Sequence, residues 1–223
     1  MKSKIISAFH VFLMLIFAAN TIAQTDYNAE IGVSVGGSYY LGDATNKPFT
    51  NIQPDFGLIY RHKLTPRYAL SVQWDNTKVK GGNGTTAFEN VVNEFNVMGE
   101  YNFFDHEDKV YKPNSRKHTF YIAAGVGGML IPYTNSEGTN TEFHFSYPMG
   151  IGYKIMWGQR LNINFIWTHT LLLTDKMEGI SALNNNSGLN GSNLFNNDWI
   201  SNFKIAITLN IWKKQCDCLQ YNR

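Results

Sequence analysis

Hydrophobic and polar residues alternate along this chain with a period of two. In 30–43, EIGVSVGGSYYLGD, residues Ile31, Val33, Val35, Gly37, Tyr39 and Leu41 fall on one face. Gly32, Ser34, Gly36, Ser38 and Tyr40 fall on the other. Successive side chains of a strand point to opposite faces, so this is the pattern of a strand with one apolar and one small, polar face. Gly32 and Gly37 have the spacing of a phosphate loop, but Ser38 stands where that motif needs lysine. No helical pattern follows, as a dinucleotide site would require.

Seven further segments repeat the alternation. In 54–64 the apolar face is Phe56, Leu58 and Tyr60; in 67–78 it is Tyr68, Leu70, Val72 and Trp74. Phe95, Val97, Tyr101 and Phe103 supply it in 93–104, and Phe120, Ile122, Ala124 and Val126 in 118–130. The segment 142–157 carries Phe143, Phe145, Tyr147, Met149, Ile151, Tyr153 and Ile155. Leu161, Ile163, Phe165 and Trp167 follow in 161–171, then Phe203, Ile205, Ile207, Leu209 and Ile211 in 201–212. Eight strands predict an all-β fold.

Three details favour a membrane barrel over a soluble sandwich. The strands approach the 9–11 residues that cross a bilayer when tilted. One face is almost purely apolar and aromatic, while the other carries glycine, serine, asparagine and single charges. Connections also alternate in length: 64–67 and 157–160 are tight turns, whereas 42–53, 79–89, 131–141 and 174–197 are longer and polar. The exception is 105–117, a long connection on the tight-turn side. The expected fold is an eight-stranded antiparallel outer-membrane β-barrel over 24–213. Its lumen is narrow enough for side chains to fill. Arg61, Asp75, Glu94, Glu100, Lys154 and Lys204 should point inward and pair, plugging the lumen. Tyr39, Trp74, Tyr101, Tyr153, Trp157, Trp167, Trp199 and Trp212 lie near strand ends, where aromatic girdles belong.

Composition sharpens the picture. Aromatic content is 14%, charged content 16%, and there are 19 glycines against 6 prolines, a balance that suits strands. Residues 1–23 open with Lys2 and Lys4, run apolar, and end with Thr21 and Ala23, as a cleaved secretory signal does. That segment holds two of the 19 basic residues and none of the 17 acidic ones, so the mature chain carries 17 of each. Such a balance does not suggest a nucleic-acid partner. An even strand count places both termini on the tight-turn side, which in an exported barrel is the periplasm.

Candidate chemistry is sparse. His62, His106 and His118 lie at turns, and DHED at 105–108 is a weak cation candidate without a second ligand cluster. His144 projects inward beside Glu142. His169, with Asp175, Glu178 and Asp198 at the opposite rim, lacks a nucleophile–base–orienter arrangement. Asn83, Asn185 and Asn190 match Asn-x-Ser/Thr by chance in an asparagine-rich chain. No catalytic residue, cofactor or metal is therefore expected. The tail 214–223 carries Cys216 and Cys218, too close for a favourable mutual disulfide. They are either partner-binding thiols that pair with another chain or incidental thiols on a frayed end.

AEIGVSVGGSYYLGD on the first strand, PDFGLIYRHKLTPRYALSVQW across the first turn, NEFNVMGEYNFFDHE on the fourth and FYIAAGVGGMLIPY on the fifth resemble one family. It is the Bacteroidetes outer-membrane barrel family typified by the PorG component of the type IX secretion and gliding machinery. The resemblance implies a non-enzymatic role, anchoring a periplasmic ring of PorK- and PorN-like components during protein export. The tight-turn side, with 105–117 and the Cys216/Cys218 tail, would then face that ring.

Overall fold

The computed structural model describes residues 27–41, 49, 51–81, 88–106, 117–135, 138–157, 160–173 and 199–213. The expected signal segment 1–23, the tail with Cys216 and Cys218, and the connection 174–197 lie outside them. Eight strands follow in order: β1 (Tyr27–Leu41), β2 (Gln53–Lys63), β3 (Tyr68–Gly81), β4 (Phe88–Asn102), β5 (His118–Asn135), β6 (Gly138–Trp157), β7 (Leu161–Leu172) and β8 (Trp199–Lys213). Each pairs antiparallel with its neighbour, and β8 closes on β1 from Tyr27↔Lys213 to Leu41↔Trp199. The fold is a closed, all-antiparallel β-barrel.

The period-two pattern sets which side chains face out. Ile31, Val33, Val35, Phe56, Leu58, Val97, Ile151 and Ile207 are exposed on the outer wall, while Ser34, Ser71, Asn96, Asn164 and Thr208 are buried inside. A continuous apolar wall of this extent is stable against lipid and a liability in water. Its limit towards the long-loop end is marked by Asn76 and Asn93, whose outward amides join at 3.0 Å across β3 and β4. At the tight-turn end Tyr68 packs on Tyr101 and Phe120 on Tyr153, with ring centroids 5.2 and 4.5 Å apart. Tyr39 does not join a girdle. It is buried beneath Phe49, 5.0 Å between centroids.

Two of the expected long loops, 79–89 and 131–141, begin and end as strand. β3 and β4 stay paired out to Gly81↔Phe88, and β5 and β6 out to Asn135↔Gly138. Thr134, Thr139 and Thr141 suit strands and carry the ladder past the apolar band. The β5–β6 hairpin outruns both neighbours, because β4 leaves β5 at Asn93↔Leu130 and β7 leaves β6 at Ser146↔Leu172. Proline explains the first departure. Phe103 N–H donates to Phe120 C=O, so the even-numbered residues of β5 bond to β4. The next in that series after Leu130 is Pro132, which has no N–H.

A charge on the lipid wall tests the orientation. Val97, centred between Val72 and Val126, should tolerate arginine poorly. Val97→Arg should cost about 2–4 kcal/mol if the site lies near the bilayer midplane. Lys78→Arg, on the exposed end of β3, should be neutral. Unfolding midpoints of barrels refolded into lipid vesicles measure both.

Candidate functional site

The lumen holds the concentration of chemistry, arranged in layers. At the long-loop end Tyr40, Val79, Val92, Met129, Ile131, Leu172 and Ile200 form a dry apolar cap, each at most 3% exposed. Beneath it lie Asp55, Asp75, Glu94 and Lys204. Smaller apolar groups, Ile59–Ile166–Ala206 and Met98–Tyr121–Ala123, separate these from a second charged layer. That layer, nearest the tight turns, contains Glu30, Arg61, Lys63, Glu100 and Lys154. Inward positions of the strands thus fill the barrel from end to end.

Glu100 is the centre of the lower layer. It accepts from Arg61 Nε at 2.8 Å and Lys154 Nζ at 2.6 Å. Arg61 also donates through Nη1 to Glu30 Oε2, and Lys63 Nζ lies 2.9 Å from Glu30 Oε1. Asn102 and Thr208 extend the network to Lys154 and Glu30. The Tyr121 ring underlies both cations, with Lys154 Nζ 4.3 Å and the Arg61 guanidinium carbon 5.8 Å from its centroid. Gly152 makes room for that ring, since a Cβ there would collide with it. Ion pairs this deep are sustained only when their geometry and hydrogen bonds are nearly complete.

The upper layer is differently balanced. Lys204 Nζ donates to Asp75 Oδ2 at 2.7 Å and to Gln73 Oε1 at 3.4 Å. Glu94 accepts from Thr170 Oγ1 and Asn96 Nδ2, both at 2.7 Å, and from Asn202 Nδ2 at 3.3 Å. Three carboxyl groups here face one ammonium. The six charged residues named from the sequence are therefore all buried, but divided between two layers: Arg61, Glu100 and Lys154 below, Asp75, Glu94 and Lys204 above. Glu30, Asp55 and Lys63 complete the layers and were not singled out. Glu30 and Asp55 share the inward parity of Ser34 and Arg61, which is the sequence signal that would have found them.

The histidines divide. His106 is not a solvated turn residue, as its position suggested. It is 3% exposed, beyond the end of β4, and neither ring nitrogen has a hydrogen-bond partner among the described residues. Burial pushes its imidazole down to about 3, with Glu30 opposing and Lys154, Lys63 and Arg61 adding to the fall. The chain approaching it is held by Arg67 Nε, 2.7 Å from Asp105 Oδ1. Of DHED, Glu107 and Asp108 lie outside the described residues. His144 sits 3.4 Å from Glu142. His169 packs at a tilt against Trp167 on the outer wall, 4.9 Å between centroids, while Asp175, Glu178 and Asp198 lie outside the described residues. Among the described residues no group of three His, Cys, Asp or Glu is placed to hold a metal ion.

Two outcomes follow. Arg61→Ala leaves Glu30 and Glu100 short of a partner in a dry site and should cost about 3–5 kcal/mol. Adding Glu30→Gln and Glu100→Gln should recover part of that loss, as urea midpoints of the single and triple variants will show. His106 binds its proton more weakly folded than unfolded. Its contribution is thus fully present above about pH 6.5 and is lost as pH falls towards 3. Between pH 7 and 4.5 the wild type should lose about 2 kcal/mol more than His106→Gln.

The architecture matches solved small barrels. The N-terminal β-barrel domain of OprF from Pseudomonas aeruginosa aligns over 84% of this chain and 100% of its own, with TM-score 0.50 and 13% identity. Neisserial surface protein A aligns over 82% and 97%, with TM-score 0.55 and 6% identity. Ail, the attachment invasion locus protein of Yersinia pestis, aligns over 83% and 99%, with TM-score 0.50 and 11% identity. At such identities the likeness is one of fold. Comparison with curated protein sequences finds no significant match. A family model does match, from residue 7 to 220, and by it the chain belongs to the family described as domain of unknown function DUF6089.

Proposed function

We propose that this protein is an integral outer-membrane barrel with a structural, non-enzymatic role. In this reading it anchors a periplasmic ring of the type IX protein secretion and gliding machinery, built from PorK- and PorN-like components. The observation that carries the structural role is the filled lumen. Cap, charged layers and His106 leave side chains where a channel or substrate cleft would be. What such a barrel offers a partner is its two rims. The assignment to type IX secretion rests on the resemblance of the first five strands to the PorG-typified family.

The tight-turn rim faces the periplasm on this reading. β1 begins and β8 ends there, at the same rim as the 64–67 turn and the Arg67–Asp105 pair. The tail with Cys216 and Cys218 follows β8 directly and is the proposed attachment point.

A second reading is a general small outer-membrane barrel, self-contained and serving envelope integrity, adhesion or slow solute passage. The β5–β6 hairpin favours it, because it projects past both neighbouring strands and exposes Phe143 and Phe145. A tagged pull-down from gently solubilised native outer membranes separates the two. Anchoring predicts recovery of a lipoprotein ring component. It also predicts that changing Cys216 and Cys218 to serine abolishes any reductant-sensitive adduct. Recovery of the barrel alone would favour the envelope reading.

A further inference from the structure

The outer wall carries an oblique trough with cations at its foot. Strand partners followed round the barrel from Ala29 lead through Leu70, Ala124 and His169 back to Tyr39, ten residues nearer the long-loop end of β1. Cross-strand rows therefore climb away from the tight-turn side as they pass from β5 to β7. Two such rows lie side by side on the outer face: Phe120, Tyr153 and Phe165 below, and Ile122, Ile151 and Trp167 above. Between them the intervening Tyr121, Gly152 and Ile166 place no side chain on the outer face, so the floor is backbone. A cavity of about 340 Å³ lies between the rows. Its low end is at Phe120 on β5, and its high end, deeper in the bilayer, is at Trp167 on β7.

Lys117 C=O accepts from Met156 N–H at 2.7 Å, which sets Lys117 beside Trp157 at the foot of β5 and β6. Trp157 in turn pairs with Leu161, the residue after Arg160. Lys117 and Arg160 thus flank β6, roughly 10 Å apart at two strand spacings. Both are exposed, and neither side chain has a hydrogen bond or ion pair among the described residues. His118 is exposed next to Lys117, its ring 6.1 Å from that of Tyr153 in the trough wall. Trp157, 70% exposed, stands at the level where such rings anchor in the membrane interface. A second groove of about 410 Å³, beside Gly99 and Ala124, lacks such a mouth. The cation at its foot, Arg67, is already paired with Asp105 at 2.7 Å. Two uncommitted cations at headgroup level select a net anionic headgroup over a zwitterionic one, and the trough above them accommodates an acyl chain. We propose that the Phe120–Trp167 trough binds one anionic phospholipid, its headgroup held by Lys117, His118 and Arg160 and one acyl chain lying along the trough.

The protein, purified folded in a mild detergent, is exposed to equal amounts of phosphatidylglycerol and phosphatidylcholine with matched acyl chains. Native mass spectrometry reads the lipid retained, and gel mobility verifies the fold of each variant. Wild type should keep one phosphatidylglycerol, with a preference of about 25-fold over phosphatidylcholine. Lys117→Gln and Arg160→Gln should each lower that preference about fivefold, and together abolish it. Lys78→Gln, an exposed lysine at the opposite end of the barrel, should leave it unchanged. Ile151→Trp narrows the trough and should lower retention of both lipids several-fold. The wild-type preference and the Ile151→Trp variant carry the test if a rim variant does not fold. Equal retention of the two lipids by wild type would overturn the proposal. So would a preference unchanged in the double variant. Retention indifferent to Ile151→Trp would also overturn it, leaving the lipid at the rim and the trough without a role.

Discussion

A strand that crosses lipid finds no water for its backbone N–H and C=O groups, and this structure follows from that constraint. Every such group must pair with another strand, so the sheet has to close on itself. Closure from β1 round to β8 makes the two faces of each strand unlike. One meets lipid and must be apolar. The other meets a lumen so narrow that opposite walls touch, and whatever polar groups it carries must satisfy one another there.

The lumen meets that demand by segregating its charges. The layer near the tight turns is built on Glu100, shared between Arg61 and Lys154, with more cations than carboxylates. The layer below the cap has more carboxylates than cations. Glycines make both layers possible, because Gly152 admits the Tyr121 ring and Gly57 admits the Asp75 carboxylate. Side chains from opposite walls then interlock, and the barrel becomes solid along its axis. Such an interior suits a protein whose work is done at its rims.

Much of this was legible in the sequence. Alternation alone separated lipid-facing Phe56, Leu58 and Tyr60 from inward Asp55 and Arg61. It also oriented the six interior charges. Partners were not legible, because a period of two says which face a residue takes and nothing of what stands opposite across the lumen. Lys204 meets Asp75 from 129 positions away in sequence. His106 escaped for another reason: it lies beyond its strand, where alternation carries no information. The hairpin lengths were misjudged because threonine and asparagine read as loop, although a ladder outside the lipid can carry them. The apolar cap was missed because Val79 and Ile131 lay in stretches read as loop and Val92 fell just short of the strand read from residue 93.

Conductance across a planar bilayer tests the filled lumen most directly. Purified, correctly folded barrel should insert without opening channels, and the trace should stay at baseline under applied voltage. Stable, ohmic current steps from the wild-type barrel would show a continuous aqueous path through the cap and both charged layers, and would contradict the account.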